Sequence, residues 1–398
     1  MKEQSLEDLS GILKNDHNIN ITKTALHKRF NKYAVHFLKA ALEKLLQQQL
    51  QTPVIKLLKS SFHRVLIKDS VCFQVDDSLA TAYPGSGGNS SNAAIRIQFE
   101  YELLSGTITD ISINAFNLQD SKDSLATIEK TRDGDLVIRD LAYMSLNVLK
   151  KIIEKNAIYL CRPNSNVIMY ELKNDQFERL NFEKIATYMR NNKLVTMEKV
   201  IYYGGNEKIK TRLILHLLPA EEVEKRLRKA SQNAKKDGGK VTKEYKARAA
   251  LNLFITNASQ QQIPTNNVWP IYRLRWQIEL MFKIWKSICD IEKVKKVNVH
   301  RLECYIYSKL IFIVLGWKVL WVIAKNMYSL NNKPLSFYKA FKTLFKRQID
   351  AFRNALQATQ DDIIEFVVNF YYLSTTNHVL EKRMQKLTSL EIMYACLN

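Results

Sequence analysis

Two aspartates occupy places in predicted β-strands where a carboxylate could do chemistry. Asp69 lies inside the apolar run VLIKDSVCF, and Asp140 ends the run DLVIRD just before a predicted helix. An unpaired carboxylate is costly to bury, so a mid-strand aspartate usually has a cation, a set of backbone N–H groups or a metal as its partner. Open sheets place their sites at the carboxyl edge, where Asp140 falls. Singly, each aspartate is more simply structural, but two on neighbouring strands favour a shared site.

A third acidic residue, Glu279, lies in the segment NVWPIYRLRWQIELMFKIWKS. On one helix at about 100° per residue, Glu279 shares a narrow sector with four residues: Tyr272, Arg275, Lys283 and Lys286. An adjoining face is apolar. The polar stripe is either a row of ordinary ion pairs, each contributing roughly 0.2–0.5 kcal/mol, or a carboxylate surrounded by phosphate-binding groups. The pattern alone leaves both interpretations open.

The elements that must position these residues form a predicted mixed sheet with helices. Three β-branched runs, RVLIKDSVCFQV, AAIRIQFEYELL and GTITDISIN, precede an alternation of strands and helices. A hairpin turned at Gly204–Gly205–Asn206 and the strand LNLFITN follow, and a long helix begins near Val268. This order predicts an α/β protein with a mixed sheet flanked by helices.

We divide the chain into five regions on these patterns. They are a helical N-terminal DNA-binding region (1–62), the first half of a sheet core (63–163), a β-rich insertion with a basic arm (164–250), the second half of the core with the Glu279 helix (251–298) and a helical C-terminal region (299–398).

Two basic segments are candidate DNA contacts. Near the N-terminus, Lys23, Lys28 and Arg29 lie on the second of two predicted helices, which suit either a helix-turn-helix or a packing or dimerisation helix with a solvated basic face. The stretch 225–248 holds ten Lys and Arg residues, among them Lys235 and Lys236. This stretch is either a solvated face or an arm that tracks phosphates.

The overall charge indicates a polyanionic partner. The 398 residues include 60 Lys and Arg against 39 Asp and Glu, a net charge of +21. Such a field favours nucleic acid over an acidic membrane. The five cysteines are far apart and form no C-x-x-C pair, so neither a zinc site nor a disulfide framework is indicated.

We expect an intracellular protein with no membrane association. The start, MKEQSLEDLS, has no apolar signal-peptide segment. The most apolar run, 304–324, is interrupted by Lys309 and Lys318, which leaves it short of the roughly 20 apolar residues that a membrane span needs.

Together these motifs resemble a known family. Tyr272, Arg275, Glu279 and Lys286 match the Y-R-E-K signature of IS4-type transposases, the DDE enzymes of bacterial insertion sequences. The segments FITN, RWQIE, PGSGG, IKDS at Asp69 and DLAYM at Asp140 look like the same family, over roughly residues 60 to 310. The resemblance implies an RNase H-like core with Asp69, Asp140 and Glu279 as catalytic, metal-ligating residues.

One departure from the family pattern is visible. The second acidic motif of the family usually reads Asp-x-Gly-Tyr-Phe, whereas this chain has Ala142 and Met144 at the Gly and Phe positions. Because a small residue remains at 142, we expect the turn after Asp140 to persist.

The chemistry implied by the resemblance is metal-dependent cut-and-paste transposition. Carboxylate oxygens suit Mg²⁺, or Mn²⁺ as a substitute, and two such ions would serve an in-line phosphodiester displacement. Water would free a 3′-OH that later attacks target DNA. Tyr272, Arg275, Lys283 and Lys286 would hold phosphates. Trp276 is either a core residue or, as in relatives that form hairpin ends, a platform for a flipped base.

The partners implied are double-stranded DNA, both terminal inverted repeats and target, and a second copy of the chain in a homodimeric synaptic complex. The implied location is the bacterial cytoplasm, associated with the nucleoid. Two alternatives are a domesticated RNase H-like nuclease that cuts without strand transfer and a catalytically inactive DNA-binding protein.

Overall fold

The computed structural model describes residues 5–47, 62–86, 92–236, 238 and 240–381. The chain divides into two compact units. The first unit comprises Met1–Ser60, Leu66–Gln119 and Arg275–Asn398, and the second comprises Ser61–Val65 and Asp120–Leu274.

The described residues form ten strands and fourteen α-helices. The strands are β1 (Arg64–Gln74), β2 (Ala94–Glu102), β3 (Ile108–Ala115), β4 (Asp135–Arg139), β5 (Ile158–Cys161), β6 (Met169–Lys173), β7 (Gln176–Arg179), β8 (Thr196–Tyr203), β9 (Ile209–Leu217) and β10 (Leu251–Thr256). The helices are α1 (Leu6–His17), α2 (Lys23–Arg29), α3 (Lys32–Gln47), α4 (Asp120–Thr127), α5 (Leu146–Glu154), α6 (Phe182–Asn191), α7 (Ala220–Lys236), α8 (Lys243–Ala249), α9 (Val268–Arg273), α10 (Trp276–Ser287), α11 (Val299–Asn331), α12 (Phe337–Lys346), α13 (Ile349–Gln357) and α14 (Gln360–Asn377). The predicted α/β architecture, a mixed sheet flanked by helices, is confirmed.

In the first unit, β1, β2 and β3 form an antiparallel arrangement in the order β3-β2-β1. Asp69 of β1 lies directly opposite Phe99 of β2 in the register. Directly opposed residues of an antiparallel pair point to the same face. Asp69 and Phe99 therefore share one face, and their neighbours Lys68 and Glu100 share the other.

Helix α11 is the longest element of the first unit. It is 33 residues long, and an 18-residue window within it has a mean hydropathy of 1.8, which is enough to cross a membrane by length and composition alone. The expectation that Lys309 and Lys318 leave its apolar run too short for a span is therefore wrong on composition. The helix packs instead against α3, α12 and α14. The two lysines that interrupt its apolar run donate to backbone carbonyls: Lys309 to Asp290 at 2.7 Å and Lys318 to Leu45 at 2.7 Å. Helices buried in a protein core and helices that cross a membrane are similarly apolar. Here α11 contacts three other helices, as a core helix does.

The N-terminal region differs from the prediction of two helices. Thr22 caps the second helix, since its hydroxyl accepts the N–H of Ala25. That helix then ends at Arg29, and α3 begins at Lys32. The side-chain oxygen of Asn31 accepts the N–H groups of Tyr33 and Ala34 at 3.0 and 3.2 Å. An Asn side chain that satisfies two backbone donors locally competes with helix continuation and starts a new helix.

In the second unit, the strands follow the order β4-β5-β10-β9-β8-β6-β7. β4 and β5 are parallel and joined by α5, whereas β10 is antiparallel to both β5 and β9. The first residues of β1 also belong to this unit. Arg64 donates to the buried Asp135 at 2.9 and 2.5 Å, which joins the start of β1 to β4.

The region predicted as an insertion, 164–250, contains β6 to β9 and α6 to α8. Its strands continue the sheet of the second unit because β9 is hydrogen-bonded to β10. The predicted hairpin at Gly204–Gly205–Asn206 is confirmed as β8 and β9. The prediction missed β7 and α6. The five domain boundaries stay predictions.

A close backbone approach in the first unit provides a test of the packing. Gly106, in the β2–β3 turn, has a φ of +69°, and a Cβ built there would overlap the indole ring of Trp321. Its carbonyl accepts the Nε1–H of Trp317 at 2.8 Å. We expect Gly106→Ala to lower the free energy of unfolding by roughly 2 kcal/mol or more, through backbone strain and overpacking. Urea unfolding followed by tryptophan fluorescence measures this change. Gly205→Ala is the control, because its added Cβ meets nothing within 4 Å.

A buried histidine in the first unit predicts that the stability of this unit depends on pH. The ring of His378 bonds to the hydroxyls of Thr343 and Ser374, each at 2.9 Å. Burial, together with the positive charges of Lys339 and Arg347, lowers the pKa of His378 below its usual value. The unfolded chain then binds a proton more readily than the folded chain, so stability is lost as the pH falls below about 6.5.

We expect His378→Gln to reduce this loss, which for one proton is at most about 1.4 kcal/mol per pH unit. Urea unfolding at several pH values from neutral downwards measures the slope. Replacement of the exposed His17 by Gln should leave the slope unchanged. An unchanged slope in His378→Gln would contradict the assignment.

Candidate active site

Helix α10 brings Glu279 to the face of β1 that carries Asp69. The apolar side of α10 packs on β2. The centroid of the Trp285 ring lies 5.0 Å from the centroid of the Phe99 ring, and the centroid of the Phe282 ring lies 6.2 Å from it. Because Asp69 shares the face of Phe99, the packing of these aromatic rings turns the polar side of α10 towards the aspartate. All of these residues belong to the first unit.

Arg275 joins the two carboxylates. Its Nη1 donates to Asp69 Oδ2 at 2.9 Å, and its Nη2 donates to Glu279 Oε1 at 2.5 Å. The side chains of Arg275 and Asp69 are 17% and 19% exposed, whereas that of Glu279 is 39% exposed. The other oxygen of Asp69 accepts the N–H of Ser70 at 2.8 Å. The partner expected for the mid-strand aspartate is therefore a cation, assisted by a backbone N–H.

The polar stripe lies on two helices and not on one, so the expectation of a single helix is wrong. Tyr272 is on α9, Glu279, Lys283 and Lys286 are on α10, and Arg275 is the residue before α10. Near this junction the N–H of Leu274 bonds to Ile271 and the N–H of Ile278 bonds to Arg275, each three residues back rather than four. Such tighter bonds are common where an α-helix ends.

The remaining members of the stripe differ in their surroundings. Lys286 donates to the carbonyl of Cys72 in β1 at 3.1 Å and lies 3.4 Å from Glu292. Lys283 is exposed, with its ammonium 5.2 Å from the centre of the Tyr338 ring. Tyr272 is buried in the second unit, its ring 5.0 Å from that of Phe254. Phosphate binding by these three residues stays a prediction.

Asp140 follows β4 and opens a short 3₁₀ turn, in which its carbonyl accepts the N–H of Tyr143 at 3.0 Å. The turn expected after Asp140 is therefore present, with Ala142 exposed and Met144 buried. Asp140 is half-buried and close to Cys161 at the end of β5. Burial, and to a lesser degree the negative charge of Asp140, raises the pKa of the Cys161 thiol.

The predicted catalytic residues are divided between the units: Asp69 and Glu279 belong to the first and Asp140 to the second. Within the ranges that the structure describes, no cluster of three or more His, Cys, Asp or Glu residues could hold a metal ion. The two carboxylates bound to Arg275 are nevertheless donors of the kind that hard divalent cations prefer. Both are anionic oxygen donors, and both already face a single positive group.

The other predicted DNA contacts are mostly exposed. Lys23, Lys28 and Arg29 are exposed on α2, and Lys235 is exposed on α7. The side chain of Lys236 lies outside the described residues. Trp276 is 46% exposed, so its interpretation as a core residue is wrong.

Sequence analysis missed a second group of charges next to Asp69. The side chain of Lys68 is fully buried, and its Nζ lies 3.0 Å from Oδ2 of Asp110 in β3. Glu100, opposite Lys68 in the register, is also buried and accepts from Thr109 at 3.1 Å. The signal available in the sequence was a lysine in an apolar strand, followed by glutamates at alternate positions of QFEYE. Charge inside these strands is therefore not by itself a mark of a site.

Two tryptophans on α10 test the orientation of the helix. We expect Trp285→Ala, which removes a fully buried ring, to lower the free energy of unfolding by about 3–5 kcal/mol. Trp276→Ala, on the exposed side, should change it by no more than about 0.5 kcal/mol. Urea unfolding followed by circular dichroism measures both values. Equal losses would mean that α10 presents a different face to β2.

Comparison with known proteins gives concordant matches. A family model described as a transposase DDE domain matches residues 60–315. The transposase for insertion sequence element IS231F of Bacillus thuringiensis subsp. israelensis is 32% identical over 94% of this chain and 81% of its own length. The transposase for insertion sequence element IS1151 of Clostridium perfringens is 32% identical over 82% of this chain and 72% of its own length. The putative transposase InsL for insertion sequence element IS186A of Escherichia coli (strain K12) is 26% identical over 59% of this chain and 62% of its own length.

Proposed function

Because the chain belongs to the DDE transposase family, we propose that Asp69, Asp140 and Glu279 are the catalytic carboxylates of a cut-and-paste transposase. The protein is a DNA transposase of the insertion-sequence type, an enzyme that cleaves DNA and transfers strands. Its mixed sheet flanked by helices agrees with an RNase H-like core.

The convergence of Asp69 and Glu279 carries the proposal. Asp69 and Arg275 are 206 positions apart in the chain, yet one guanidinium binds the carboxylates of both Asp69 and Glu279. Two like charges brought to one place repel each other, and such an arrangement is more typical of a functional site than of a core. Asp140, at the end of β4 and half-buried, would supply the third carboxylate.

Transposases of this family generally use divalent metal ions, and we propose Mg²⁺, with Mn²⁺ as a substitute, as a pair of ions. Asp69, Asp140 and Glu279 would hold them. When bound, divalent ions activate the attacking hydroxyl and stabilise the leaving oxygen of a phosphodiester. Thiolate or imidazole ligands, which favour softer metals, are not needed for this chemistry.

The cations of the stripe would bind and orient the substrate strand. The fork of Arg275 suits a phosphate, and Lys283 and Lys286 would act as point charges along the same backbone. Trp276, exposed next to Arg275, would contact a base, and Tyr272 would hold a phosphate near the cut strand. The carboxylates repel phosphate, so these cations would also lower the electrostatic cost of bringing the strand close to them.

An insertion-sequence transposase acts on DNA, and the net charge of +21 suits that partner. We propose that the substrates are the terminal inverted repeats of the element and then target DNA. Lys23, Lys28 and Arg29 on α2, and Lys235 and Lys236 on α7, would contribute phosphate contacts. Synapsis of two ends implies a homodimer during catalysis, acting on DNA in the cytoplasm at the nucleoid.

The test uses duplexes made from the DNA that flanks the gene, with Mg²⁺ and with EDTA. We expect Mg²⁺-dependent cuts at a short inverted repeat. Replacing a residue that only supports a metal ligand typically costs about 10- to 100-fold in activity. Glu279→Gln and Asp140→Asn would each remove a ligand itself, so they should reduce cutting by more than about 100-fold. Glu365→Gln, an exposed position on α14, is the control and should cut normally.

The same assay separates the alternatives. Metal-dependent cuts without joining of a pre-cleaved end would indicate a nuclease. Binding without cuts by the unmodified chain would indicate an inactive DNA-binding protein. Full activity in Glu279→Gln would overturn the catalytic assignment itself.

A further inference from the structure

We propose that Arg275 is an internal counterion that competes with divalent metal for Asp69 and Glu279, and that DNA removes it from them. In the protein without DNA the guanidinium would hold the carboxylates. On DNA binding it would transfer to a phosphate and leave the carboxylates available to metal. This inference rests on the proposed role of Asp69 and Glu279 as metal ligands.

Both oxygens of Asp69 accept hydrogen bonds while Arg275 is in place. Its Oδ2 accepts from Arg275 at 2.9 Å, and its Oδ1 accepts from the N–H of Ser70 at 2.8 Å. Glu279 Oε1 is bound to the second terminal nitrogen of the same fork at 2.5 Å. A metal ligated by these oxygens would therefore lie next to the guanidinium.

Charge repulsion makes it unfavourable for Arg275 and a divalent cation to bind the two carboxylates at the same time. A guanidinium and a divalent cation on the same oxygens are like charges at contact distance, in a place where Arg275 and Asp69 are each less than one-fifth exposed. Arg275 neutralises only one of the two negative charges, so the site keeps an affinity for metal but a reduced one. The carboxylates are thus held together before metal arrives.

The position of Arg275 allows it to exchange partners. It precedes the first residue of α10, and its side chain has three methylene groups before the guanidinium. Phosphate and carboxylate accept the same two parallel N–H bonds from that group. A DNA strand along Lys283 and Lys286 would offer a phosphate in place of the carboxylates. Each bond that Arg275 makes to phosphate then favours metal binding to Asp69 and Glu279.

Thermodynamic linkage makes this coupling reciprocal: if DNA raises the affinity for metal, metal raises the affinity for DNA by the same factor. The device would keep metal occupancy of the two carboxylates low until DNA is present. Its signature is a metal affinity that increases when a positive charge is removed from the site.

The first experiment measures Mn²⁺ binding to the full chain without DNA, by titration followed by electron paramagnetic resonance. We expect Arg275→Gln to bind Mn²⁺ more tightly than the unmodified protein by roughly 10-fold, within the range for coupled sites. Arg275→Lys, which keeps the charge but not the fork, should fall between them. Arg273→Gln is the matched control, since it removes the same charge two positions away on α9 and should leave the affinity unchanged.

Asp69→Asn distinguishes failure of this inference from failure of the proposed function. If Asp69→Asn abolishes Mn²⁺ binding while Arg275→Gln and Arg275→Lys bind no more tightly than the unmodified chain, the carboxylates are ligands and the counterion proposal is wrong. If Asp69→Asn binds Mn²⁺ normally, the ligand assignment under the proposed function is wrong, and this inference falls with it.

A second experiment tests the transfer to DNA. Fluorescence anisotropy of a labelled duplex from the flanking DNA gives its affinity with Ca²⁺ and with EDTA, Ca²⁺ being used to limit cleavage. We expect Ca²⁺ to raise the DNA affinity of the unmodified protein by a larger factor than that of Arg275→Gln. The same factor in both proteins would show that Arg275 does not couple the two ligands.

Discussion

The fork of Arg275 between Asp69 and Glu279 is the interaction on which the arrangement of the first unit around the site depends. Aromatic packing of Phe99 with Phe282 and Trp285 fixes α10 on β2, and this contact alone would force two carboxylates together. Hydrophobic burial favours the contact, whereas like-charge repulsion opposes it. The guanidinium reconciles the two effects because it binds both anions at once. The fold therefore brings Asp69 and Glu279 together around a cation that the protein itself supplies.

In the second unit, a buried ion pair joins two strands and has no exposed carboxylate. Arg64 and Asp135 join β1 to β4 through two hydrogen bonds, and the N–H of Arg132 adds a third bond to the same carboxylate. These three donors belong to the protein itself, and the side chain of Asp135 is fully buried. A buried carboxylate saturated in this way is structural. Glu279, by contrast, remains more than one-third exposed, and one of its oxygens accepts from Arg275.

Much of the sheet, and the shared stripe of Arg275 and Glu279, could be predicted from the sequence, for reasons that particular residues show. The strands β1, β2 and β3 contain β-branched residues at regular intervals, and β4, β5 and β10 are short, wholly buried runs, so their patterns predict strands. Four exposed residues, QFER, form β7 without any hydrophobic alternation to reveal it. Helix α6 was detectable in principle, since Phe182, Ile185, Ala186 and Met189 have helical spacing. Helical spacing also predicted that Arg275 and Glu279 lie on one stripe. The hydrogen bond from Arg275 to Asp69 depends instead on the packing of α10 against the sheet, which spacing does not reveal.

Other features depend on contacts that no local pattern contains. The exposure of Trp276 follows from which side of α10 faces β2, and the split at Asn31 follows from a side chain that satisfies two backbone donors. The apolar composition of α11 fits both a membrane helix and a core helix. The distinction lies in the carbonyls that receive Lys309 and Lys318. A lysine can lie in an apolar core when its ammonium group donates a hydrogen bond to a backbone carbonyl.

The burial of Cys161 beside Asp140 has a practical consequence for chemical labelling. Thiolates react and thiols do not, and burial raises the pKa of Cys161, of Cys289 to about 12 and of Cys304 to about 11. Of the four described cysteines, Cys72 is the one that is not buried. It lies on β1 three positions after Asp69 and, by strand alternation, on the opposite face. A maleimide probe attached there would sit on the strand that carries Asp69 without covering the carboxylate.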